Sequence, residues 1–273
     1  MPDLGAKLNI IKDLLADHRV LVALSGGVDS SVMARLALDF LGYDRVGAAT
    51  AISETMAASE LEAACKLAET IGVKHVTIPI SCLDNPEFTV NSADRCYYCK
   101  HSLYSELIDY AHKHGYTLVV EGTNASDQGD YRPGIRALKE MGIASPFLIS
   151  GISKEEIRQL AKQYGLFNWD RPSNACLASR FPYGNPITSS GLKQVETGEE
   201  ILHTFGFTNC RLRHYGDTAR IEISPEQFHL TIDPAIRLEL VKNLKALGYS
   251  YITIDLEGYR TGSLNEVLPQ AAT

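Results

Sequence analysis

The stretch "ALSGGVDSS", residues 23–31, decides the fold of this chain. It joins "RVLVAL" (19–24), predicted to be a buried strand, to "SSVMARLALDFLG" (30–42), whose apolar spacing predicts an amphipathic helix. Two glycines let the backbone turn tightly, and the N–H groups of such a turn, with a helix beginning after them, attract an anion. A plain tight turn with helix caps is the alternative. No lysine follows the glycines, so kinase-like transfer of a γ-phosphoryl group is disfavoured.

The alternation of strand and helix continues beyond this loop. From about residue 20 to residue 170, β-rich runs alternate with helical periods, which is the pattern of an α/β fold with a parallel sheet covered by helices. The further predicted elements are strands at "RVGAATA" (45–51), "HVTIPI" (75–80) and "TLVVEG" (117–122), helices around 59–71 and 99–113, and a helix opened by a capping box of Ser153 and Glu156. Ligands of open α/β sheets bind at the carboxyl ends of the strands, where the glycine turn lies.

The pattern changes after "RFPYGNPIT", residues 180–188. The runs "NCRLRHY" and "ARIEIS" alternate about "GDT" like a hairpin, "PAIRLELVKNLKALG" has helical spacing, and "YITIDL" is predicted to be a final strand. We therefore expect a parallel-sheet domain over residues 1–184. A smaller α+β domain over residues 185–273 would serve substrate binding or oligomerisation.

Composition excludes several classes of protein. The chain has 273 residues, a net charge of −7 and no strongly basic segment, which argues against binding along a nucleic-acid backbone. No apolar run is long enough to span a bilayer, and the charged N-terminus is unlike a secretory signal. We expect a soluble, cytoplasmic protein with no membrane partner. In that reducing compartment the six cysteines are not expected to form a disulfide framework.

The stretch "DRCYYCK", residues 94–100, raises the question of what its two cysteines do. A structural zinc site ordinarily requires a second close pair of ligands, and a thioredoxin-like pair follows a strand. The sequence has neither. What remains is a site made by Cys96, Cys99 and one further cysteine. Cys176 lies among small and polar residues beside Arg180, whose charge favours a thiolate if it is near.

Two of the remaining cysteines are expected to be packing residues. Cys65 lies on an apolar helical stripe, and Cys210 alternates with arginine on the side of Leu212. Cys82 follows the end of a predicted strand.

The letters "SGGVDSS" resemble the SGGxDS signature of the ATP pyrophosphatase (PP-loop) superfamily. The resemblance implies that the protein binds ATP with Mg²⁺ and adenylates an oxygen of its substrate. It implies that Asp29 holds phosphate through Mg²⁺, that Ala49 and Thr50 offer groups to the adenine, and that Thr123 flanks the nucleotide. The other residues it places around the phosphates are Ser25, Gly26, Gly27, Ser30 and Ser31.

Five separated segments together resemble one family, the LarE sulfur transferases. They are "SGGVDSS", "DRCYYCK", "DYRPG" (130–134), "PSNACLASRFPYG" (172–184) and "RLRHYGDTARIEI" (211–223). The resemblance implies adenylation of a carboxylate of pyridinium-3,5-biscarboxylic acid mononucleotide, attack by the thiol at Cys176, and formation of a thiocarboxylate in the synthesis of the nickel-pincer nucleotide cofactor. Asp29 and Cys176 are then the catalytic residues. A homo-oligomer is expected on the same ground.

The family that the chain resembles has two kinds of member, which differ in their cysteines. Members with the CxxC pair and the loop cysteine resemble [4Fe–4S] proteins in which three thiolates hold three irons and the fourth iron carries a sulfide. Cys96, Cys99 and Cys176 would then hold such a cluster. The alternative is that Cys176 gives up its own sulfur and becomes dehydroalanine.

An anionic nucleotide substrate also needs cations. Alternation puts Arg211 and Arg213 on one face of a strand, suited to a phosphate, with a solvated face paired to Glu222 as the alternative. The resemblance implies that Glu199 joins the same pocket. Further candidates for the substrate site are Ser179, Arg180 and Lys100, whereas Asp130 and Arg132 are expected to hold a loop.

Other functions remain open at this stage. A tRNA thiolase would need a basic RNA-binding surface, which the sequence does not indicate. An amide synthetase that uses ammonia would leave the role of Cys176 unexplained. A non-catalytic module that holds zinc for structure is the third possibility.

Overall fold

The computed structural model of the protein describes residues 3–127, 133–171, 175–260 and 262–267. The chain divides into two compact units: Met1–Cys82 with Cys96–Asn174, and Leu83–Arg95 with Ala175–Thr273. The expected division at residue 185 stays a prediction. No helix among the described residues has both the length and the apolar character needed to cross a membrane.

The first unit is built on a four-stranded parallel sheet in the order β3-β2-β1-β4. Its strands are β1 (Val20–Ala23), β2 (Val46–Ile52), β3 (Lys74–Pro79) and β4 (Leu118–Val120). The central strand β1 pairs with β2 and β4, so the turn that follows it lies in the middle of the carboxyl edge. This is the position predicted for the ligand.

The α-helices of the described residues follow in chain order. They are α1 (Leu4–Leu15), α2 (Val28–Leu41), α3 (Ala58–Ile71), α4 (Pro86–Thr89), α5 (Arg95–Lys113), α6 (Pro133–Glu140), α7 (Pro146–Ser150), α8 (Lys154–Gln163), α9 (Ser189–Thr204), α10 (Phe228–Ile232) and α11 (Pro234–Ala246). The predicted capping box of Ser153 and Glu156 opens α8. Helix α5 begins before the predicted residue 99 and includes both cysteines of the CxxC pair.

Apolar side chains cover both faces of the sheet, as a parallel sheet requires. Val20 and Val22 join a cluster with the predicted stripe of α2, and Leu21 joins a second cluster with residues of α5. The stripe residues Val32, Met33, Leu36 and Ala37 are all buried. The predicted α/β fold is therefore confirmed for this unit.

The second unit contains a three-stranded mixed sheet in the order β5-β6-β7. β5 (Arg211–Tyr215) and β6 (Thr218–Glu222) form the predicted hairpin about Gly216 and Asp217, and Gly216 has a φ of +66°. β7 (Tyr251–Ile254) pairs in parallel with β6, and α11 lies in the connection between them. Such a crossover is the usual way to join parallel neighbours.

A short segment before the CxxC pair belongs to this second unit, which the sequence did not predict. Asn91 is buried with a φ of +58°, and its amide donates to the carbonyl oxygens of Pro182 at 2.7 Å and Asn185 at 2.8 Å. Arg95 donates to the Asn91 Oδ1 at 2.6 Å and to the Phe181 carbonyl at 3.2 Å. The segment 83–95 is therefore held by the loop that follows Cys176 in the chain.

Candidate functional site

The phosphate loop lies between the end of β1 and the start of α2. Gly26 has a φ of +81°, and a Cβ there would lie 3.0 Å from the carbonyl oxygen of Glu60. Backbone conformation and space both require glycine at this position. The buried Asn168 donates to the Gly26 carbonyl at 3.1 Å, which holds the turn from the side of the core.

The serines of the loop stabilise its shape. Ser30 Oγ accepts from the backbone N–H of Ser25 at 3.1 Å, and Ser31 Oγ donates to the Gly27 carbonyl at 2.8 Å. Ser30 and Ser31 are both buried. Gly27 is the N-cap of α2 and gives no side-chain cap to the first-turn N–H groups, which have no partner within a helix. The loop therefore has the form of an anion site.

Asp29, in the first turn of α2, is engaged by two side chains from other elements. Its Oδ2 accepts from Lys154 Nζ at 2.6 Å, and its Oδ1 accepts from Asn124 Nδ2 at 3.3 Å. Lys154 is the first residue of α8, and its N–H donates to Ser126 Oγ at 3.0 Å. The side chains of Lys154 and Asp29 keep 22% and 26% of their exposure, so a phosphate or a cation can reach this pair.

The end of β4 packs directly on the loop. A Cβ on Gly122 would lie 2.8 Å from the backbone nitrogen of Ser30, a distance that real Cβ atoms do not adopt. Thr123 donates to the Glu121 carboxylate through its backbone N–H at 2.9 Å and its hydroxyl at 2.7 Å, and Ser145 also donates to Glu121. Thr123 thus lies at the carboxyl edge beside the loop, and its contact with the nucleotide stays a prediction.

The two residues predicted to meet the adenine lie inside β2. Ala49 is buried and its carbonyl accepts from Leu24 at 2.9 Å. Thr50 is buried, its hydroxyl donating to the Leu24 carbonyl at 2.7 Å and lying 2.8 Å from His75 Nε2. The carboxyl end of the strand is Ile52, so the adenine contact of these two residues stays a prediction.

The CxxC pair lies on the first turns of α5. Cys96 and Cys99 are three residues apart, so their sulfurs share one side of the helix, and both are half-buried. Cys82 Sγ lies 3.8 Å from Cys99 Sγ. The hydrogen bond with Cys99 lowers the pKa of Cys82, and burial opposes this effect. None of the six cysteines, all of which are described, forms a disulfide.

Lys100 follows the pair, and its side chain contacts residues of the first unit. Its Nζ lies 5.2 Å from the centre of the Tyr104 ring, and a Cβ on Gly134 would touch its Cγ at 3.2 Å. Attraction by Tyr104, against the effect of burial and with help from Glu121, raises the pKa of Lys100. Lys100 is therefore a cation at neutral pH, and its contact with substrate stays a prediction.

In the second unit, Cys176 is exposed and its loop is fixed by Arg180. Arg180 donates through Nη1 to the carbonyls of Ala175 at 2.6 Å and Cys176 at 3.0 Å, and it forms two hydrogen bonds with Glu199 at 2.9 and 2.8 Å. Burial works against its charge, but Glu199 raises the pKa of Arg180 above its ordinary value. Arg180 and Glu199 therefore shape the backbone that carries the thiol.

A second buried arginine supports the same loop. Arg213 forms two hydrogen bonds with Glu222 at 2.8 and 2.6 Å and donates to the Ser179 carbonyl at 2.8 Å. Arg211, its predicted partner in phosphate binding, is half-buried and lies 4.9 Å from the centre of the Tyr259 ring. Of the predicted alternatives, pairing with Glu222 is present for Arg213, but in a buried position instead of a solvated one.

The chain is similar to known proteins over nearly its whole length, including both of these groups of residues. The sequence model of the NAD synthase family matches residues 8–126. A pyridinium-3,5-bisthiocarboxylic acid mononucleotide synthase of Lactiplantibacillus plantarum is 36% identical over 96% of this chain and 93% of its own length. The chain belongs to that family, LarE. An uncharacterized protein of Synechocystis is 42% identical over 97% of this chain and 99% of its own, and a tRNA-specific 2-thiouridylase of Methylobacterium nodulans is 29% identical over 70% and 60%.

Membership of the LarE family makes the chain an ATP-dependent enzyme of sulfur insertion. The structure gathers the predicted residues in each unit separately. Around the glycine turn of the first unit lie Ser25, Gly26, Gly27, Asp29, Ser30, Ser31 and Thr123, and around the Cys176 loop of the second lie Ser179, Arg180, Glu199 and Arg213. Asp130 and Arg132 lie outside the described residues.

Sequence reasoning missed three residues of these sites. Lys154 follows a predicted capping box, so its place at a helix start was foreseeable, but no sequence signal paired it with Asp29. Asn124 follows Thr123, the residue predicted to flank the nucleotide, but nothing in the sequence paired it with Asp29. Cys82 had only its position after a strand. In the described part of the chain, no three His, Cys, Asp or Glu side chains are grouped so as to hold a metal ion.

Proposed function

We propose that the protein adenylates a carboxylate of pyridinium-3,5-biscarboxylic acid mononucleotide and replaces the adenylate with sulfur. The observation that carries this proposal is the 36% identity to the Lactiplantibacillus plantarum synthase over 96% of this chain, which spans both units. The product named for that relative is the bisthiocarboxylic acid mononucleotide. Formation of that compound from carboxylates requires activation of an oxygen and delivery of sulfur.

The first unit supports the activation step. We assign the triphosphate of ATP to the glycine turn and the start of α2, because backbone N–H groups and the helix dipole favour negative charge there. A substrate carboxylate oxygen attacks the α-phosphorus, and pyrophosphate leaves. Asp29 would hold Mg²⁺ on the phosphates, and its release from Lys154 would free a cation to pair with the leaving pyrophosphate.

The second unit supports the sulfur step. Cys176 is exposed, whereas Cys82 and Cys210 are fully buried. A sulfur nucleophile attacks the carbonyl carbon of the adenylate and AMP leaves. Arg180 and Arg213 hold the carbonyls of Ala175, Cys176 and Ser179, so the thiol stands on a fixed loop. Fixed placement of a reacting group is worth several orders of magnitude in rate.

We propose that Cys96, Cys99 and Cys176 hold a [4Fe–4S] cluster. Their thiolate chemistry fits such a group, and all three are half-buried or exposed. Bound there, the cluster would supply an iron without a protein ligand, able to carry the sulfide to be transferred. The alternative is sacrificial: the Cys176 sulfur forms a thioester with the substrate, its Cα proton is removed, and cleavage of the Cβ–S bond leaves dehydroalanine.

The proposal also covers localisation, oligomeric state and the residues that bind the substrate. We propose a cytoplasmic homo-oligomer in which residues 185–273 form a substrate-binding domain. Arg211 and Arg213 would bind the substrate phosphate, Glu199 would line the same pocket, and Ser179 and Lys100, outside this range, would be further substrate contacts. The buried pairing of Arg213 with Glu222 makes Arg211 the more accessible of the two arginines. Small-molecule nucleotides are the partners that this arrangement suits.

Modification of tRNA is the competing function, since tRNA-specific 2-thiouridylases match at 27–29% identity. The chain spans 60% of the Methylobacterium nodulans enzyme and carries a net charge of −7. An acidic chain has no electrostatic basis for binding along an RNA backbone. Thiolation of unmodified tRNA by the purified enzyme would overturn our proposal.

The test measures the two steps separately. Exchange of labelled pyrophosphate into ATP that depends on the pyridinium substrate reports adenylation, and thiocarboxylate formation reports sulfur transfer. We expect Cys176→Ala to keep exchange and lose transfer, and Asp29→Ala to lose both. Transfer by Cys176→Ala comparable to the wild type would refute the assignment. Cys65→Ala, on a half-buried helical position, is the matched control and should keep both activities.

The source of sulfur is settled by analysis of anaerobically prepared protein. Iron and acid-labile sulfide in proportion to the chain support the cluster. Their absence, with dehydroalanine at Cys176 after one turnover, supports the sacrificial route.

A further inference from the structure

Cys82 and Cys99 come from distant parts of the chain, yet their sulfurs are in contact. Cys82 lies three residues past the end of β3, and Cys99 lies in α5 of the same unit. The Sγ atoms are 3.8 Å apart. A disulfide needs about 2.05 Å between its sulfurs, so these two must approach each other by less than about 2 Å to be joined.

The two thiols differ in access to solvent. Cys82 is fully buried, and the turn that carries it is held by Glu54, whose carboxylate accepts from the Cys82 N–H at 3.0 Å and from the Ser81 hydroxyl at 2.8 Å. Cys99 is half-buried on the side of a helix. A reagent in solution therefore meets Cys99 first, and Cys82 is the fixed thiol behind it.

We propose that Cys82 and Cys99 form a reversible disulfide, with Cys99 as the thiol that attacks the oxidant from solution and Cys82 as the resolving thiol. Neither this bond nor a role for Cys82 belongs to the sulfur-transfer chemistry assigned above. The pair would give the iron-free enzyme a defined oxidised state.

The oxidant class is a low-molecular-weight disulfide, and the exchange balances. The Cys99 sulfur attacks one sulfur of oxidised glutathione, forms a mixed disulfide and releases one glutathione thiolate, which takes up the Cys99 proton. The Cys82 sulfur then attacks Cys99 Sγ, which breaks the mixed disulfide. The second glutathione thiolate leaves and takes up the Cys82 proton. Two protein thiols are oxidised and one glutathione disulfide is reduced.

One consequence rests on the proposed function. If Cys99 is a ligand of the cluster, the disulfide removes one of three thiolates, and oxidised protein should fail to take up iron until it is reduced. The surrounding thiol–disulfide potential would then set the fraction of the protein that can take up iron.

The experiment uses the full, reduced, iron-free chain, treated with oxidised glutathione and alkylated before digestion. Trypsin cuts after Lys74, Arg95 and Lys100, which separates peptide 75–95, containing Cys82, from peptide 96–100, containing both helix cysteines. We expect a linked species whose mass is the sum of the two peptides less two hydrogens, plus one alkyl group on Cys96. Dithiothreitol should abolish it.

Variants decide which sulfur is joined. The linked species should persist in Cys96→Ser and in the control Cys65→Ser, and it should be lost in Cys99→Ser. The wild-type and Cys96→Ser maps decide the proposal even if substitution of the buried Cys82 impairs folding. A linked species in Cys99→Ser, its absence in the wild type, or a disulfide within peptide 96–100 as the main product would overturn the proposal.

Iron uptake separates this inference from the proposed function. Reduced protein that takes up iron, and oxidised protein that loses this uptake and regains it with reductant, supports both. Reduced protein that takes up no iron would overturn the cluster while the peptide map still decides the disulfide. Equal iron uptake by reduced and fully linked protein would overturn the consequence drawn for loading.

Discussion

The Asp29–Lys154 pair of the first unit and the Arg213–Glu222 pair of the second both join a cation to a carboxylate at 2.6 Å, yet water reaches only one of them. The first pair keeps about a quarter of its exposure (22% and 26%), whereas the side chains of Arg213 and Glu222 keep 6% and 1%. An exposed pair is worth about 0–1 kcal/mol, so its partners can change at little cost. A buried pair that loses one partner costs about 3–5 kcal/mol.

The difference separates two tasks within one enzyme. Asp29 and Lys154, beside the phosphate loop, can change their ionic partners when a charged ligand binds. The charges beneath the Cys176 loop are buried and hold its backbone through hydrogen bonds to the carbonyls of Ala175, Cys176 and Ser179. Arg180 and Glu199 repeat the second arrangement, since they are 1% and 11% exposed.

The largest effect is expected from breaking the buried pair. Glu222→Gln leaves Arg213 and Arg220 without the carboxylate that both contact, and we expect the free energy of unfolding to fall by about 3–5 kcal/mol. Urea denaturation measures the change. The double variant Arg213→Met with Glu222→Met should recover part of the loss. A decrease below about 1 kcal/mol for Glu222→Gln, the value of an exposed pair, would place this pair with Asp29 and Lys154.

A neutral group of the same unit gives the next effect. Asn91→Gly keeps the left-handed backbone but removes the amide that donates to Pro182 and Asn185, so we expect a loss of about 2–3 kcal/mol. Asn91→Ala should lose about 1 kcal/mol more, because alanine is strained at positive φ. Denaturation of the two variants side by side is the measurement. Equal stability of the two would show that the backbone conformation carries no cost.

The exposed pair should affect ligand binding more than stability. Lys154→Met removes a charge-assisted contact with phosphate, and we expect the KM for ATP to rise about 10- to 100-fold. The free energy of unfolding should change by no more than about 1 kcal/mol. Arg35→Met is the matched control, since Arg35 pairs with Asp39 at 2.9 Å with similar exposure away from the loop. The idea fails if Arg35→Met raises the KM as much.

The smallest effect concerns a pair of intermediate exposure, Lys7 with Glu156. Burial opposes it, but hydrogen bonds from Lys7 and from the backbone of Ser153 lower the pKa of Glu156. A lowered carboxylate pKa stabilises the fold above the unfolded value of 4.5, and the contribution is lost as the pH falls through the folded value. We expect Glu156→Gln to cost about 1 kcal/mol at neutral pH and less below pH 4. A constant difference across this range would contradict the ion-pair explanation.

Local signals predicted most of the fold. The strand before "SGGVDSS" and the helix after it followed from apolar spacing, and the hairpin about Gly216 followed from alternation on both sides of a turn. These features depend on neighbours in the sequence. The capping box of α8 is of the same kind.

Long-range contacts were beyond this reasoning. The sequence indicated Asp29 but not Lys154, and Cys99 but not Cys82, because each partner is brought in by the packing of a separate element. Arg213 was expected in a phosphate site or, as the alternative, on a solvated face paired with Glu222, and its burial depends on the loop that covers it. Periodicity predicts which face a residue occupies and does not predict what covers that face.

The segment Leu83–Arg95 is made long before the loop that holds it. Its carbonyls at Thr89 and Asn91 accept from Ile187 and Gly184, which a ribosome adds about ninety residues later, roughly 5–20 seconds at ordinary elongation rates. During that interval the nascent chain carries an asparagine whose donors and acceptors still await their partners. Completion of the second unit is therefore a late event of synthesis, and the segment that leads into the CxxC pair gains these hydrogen bonds only then.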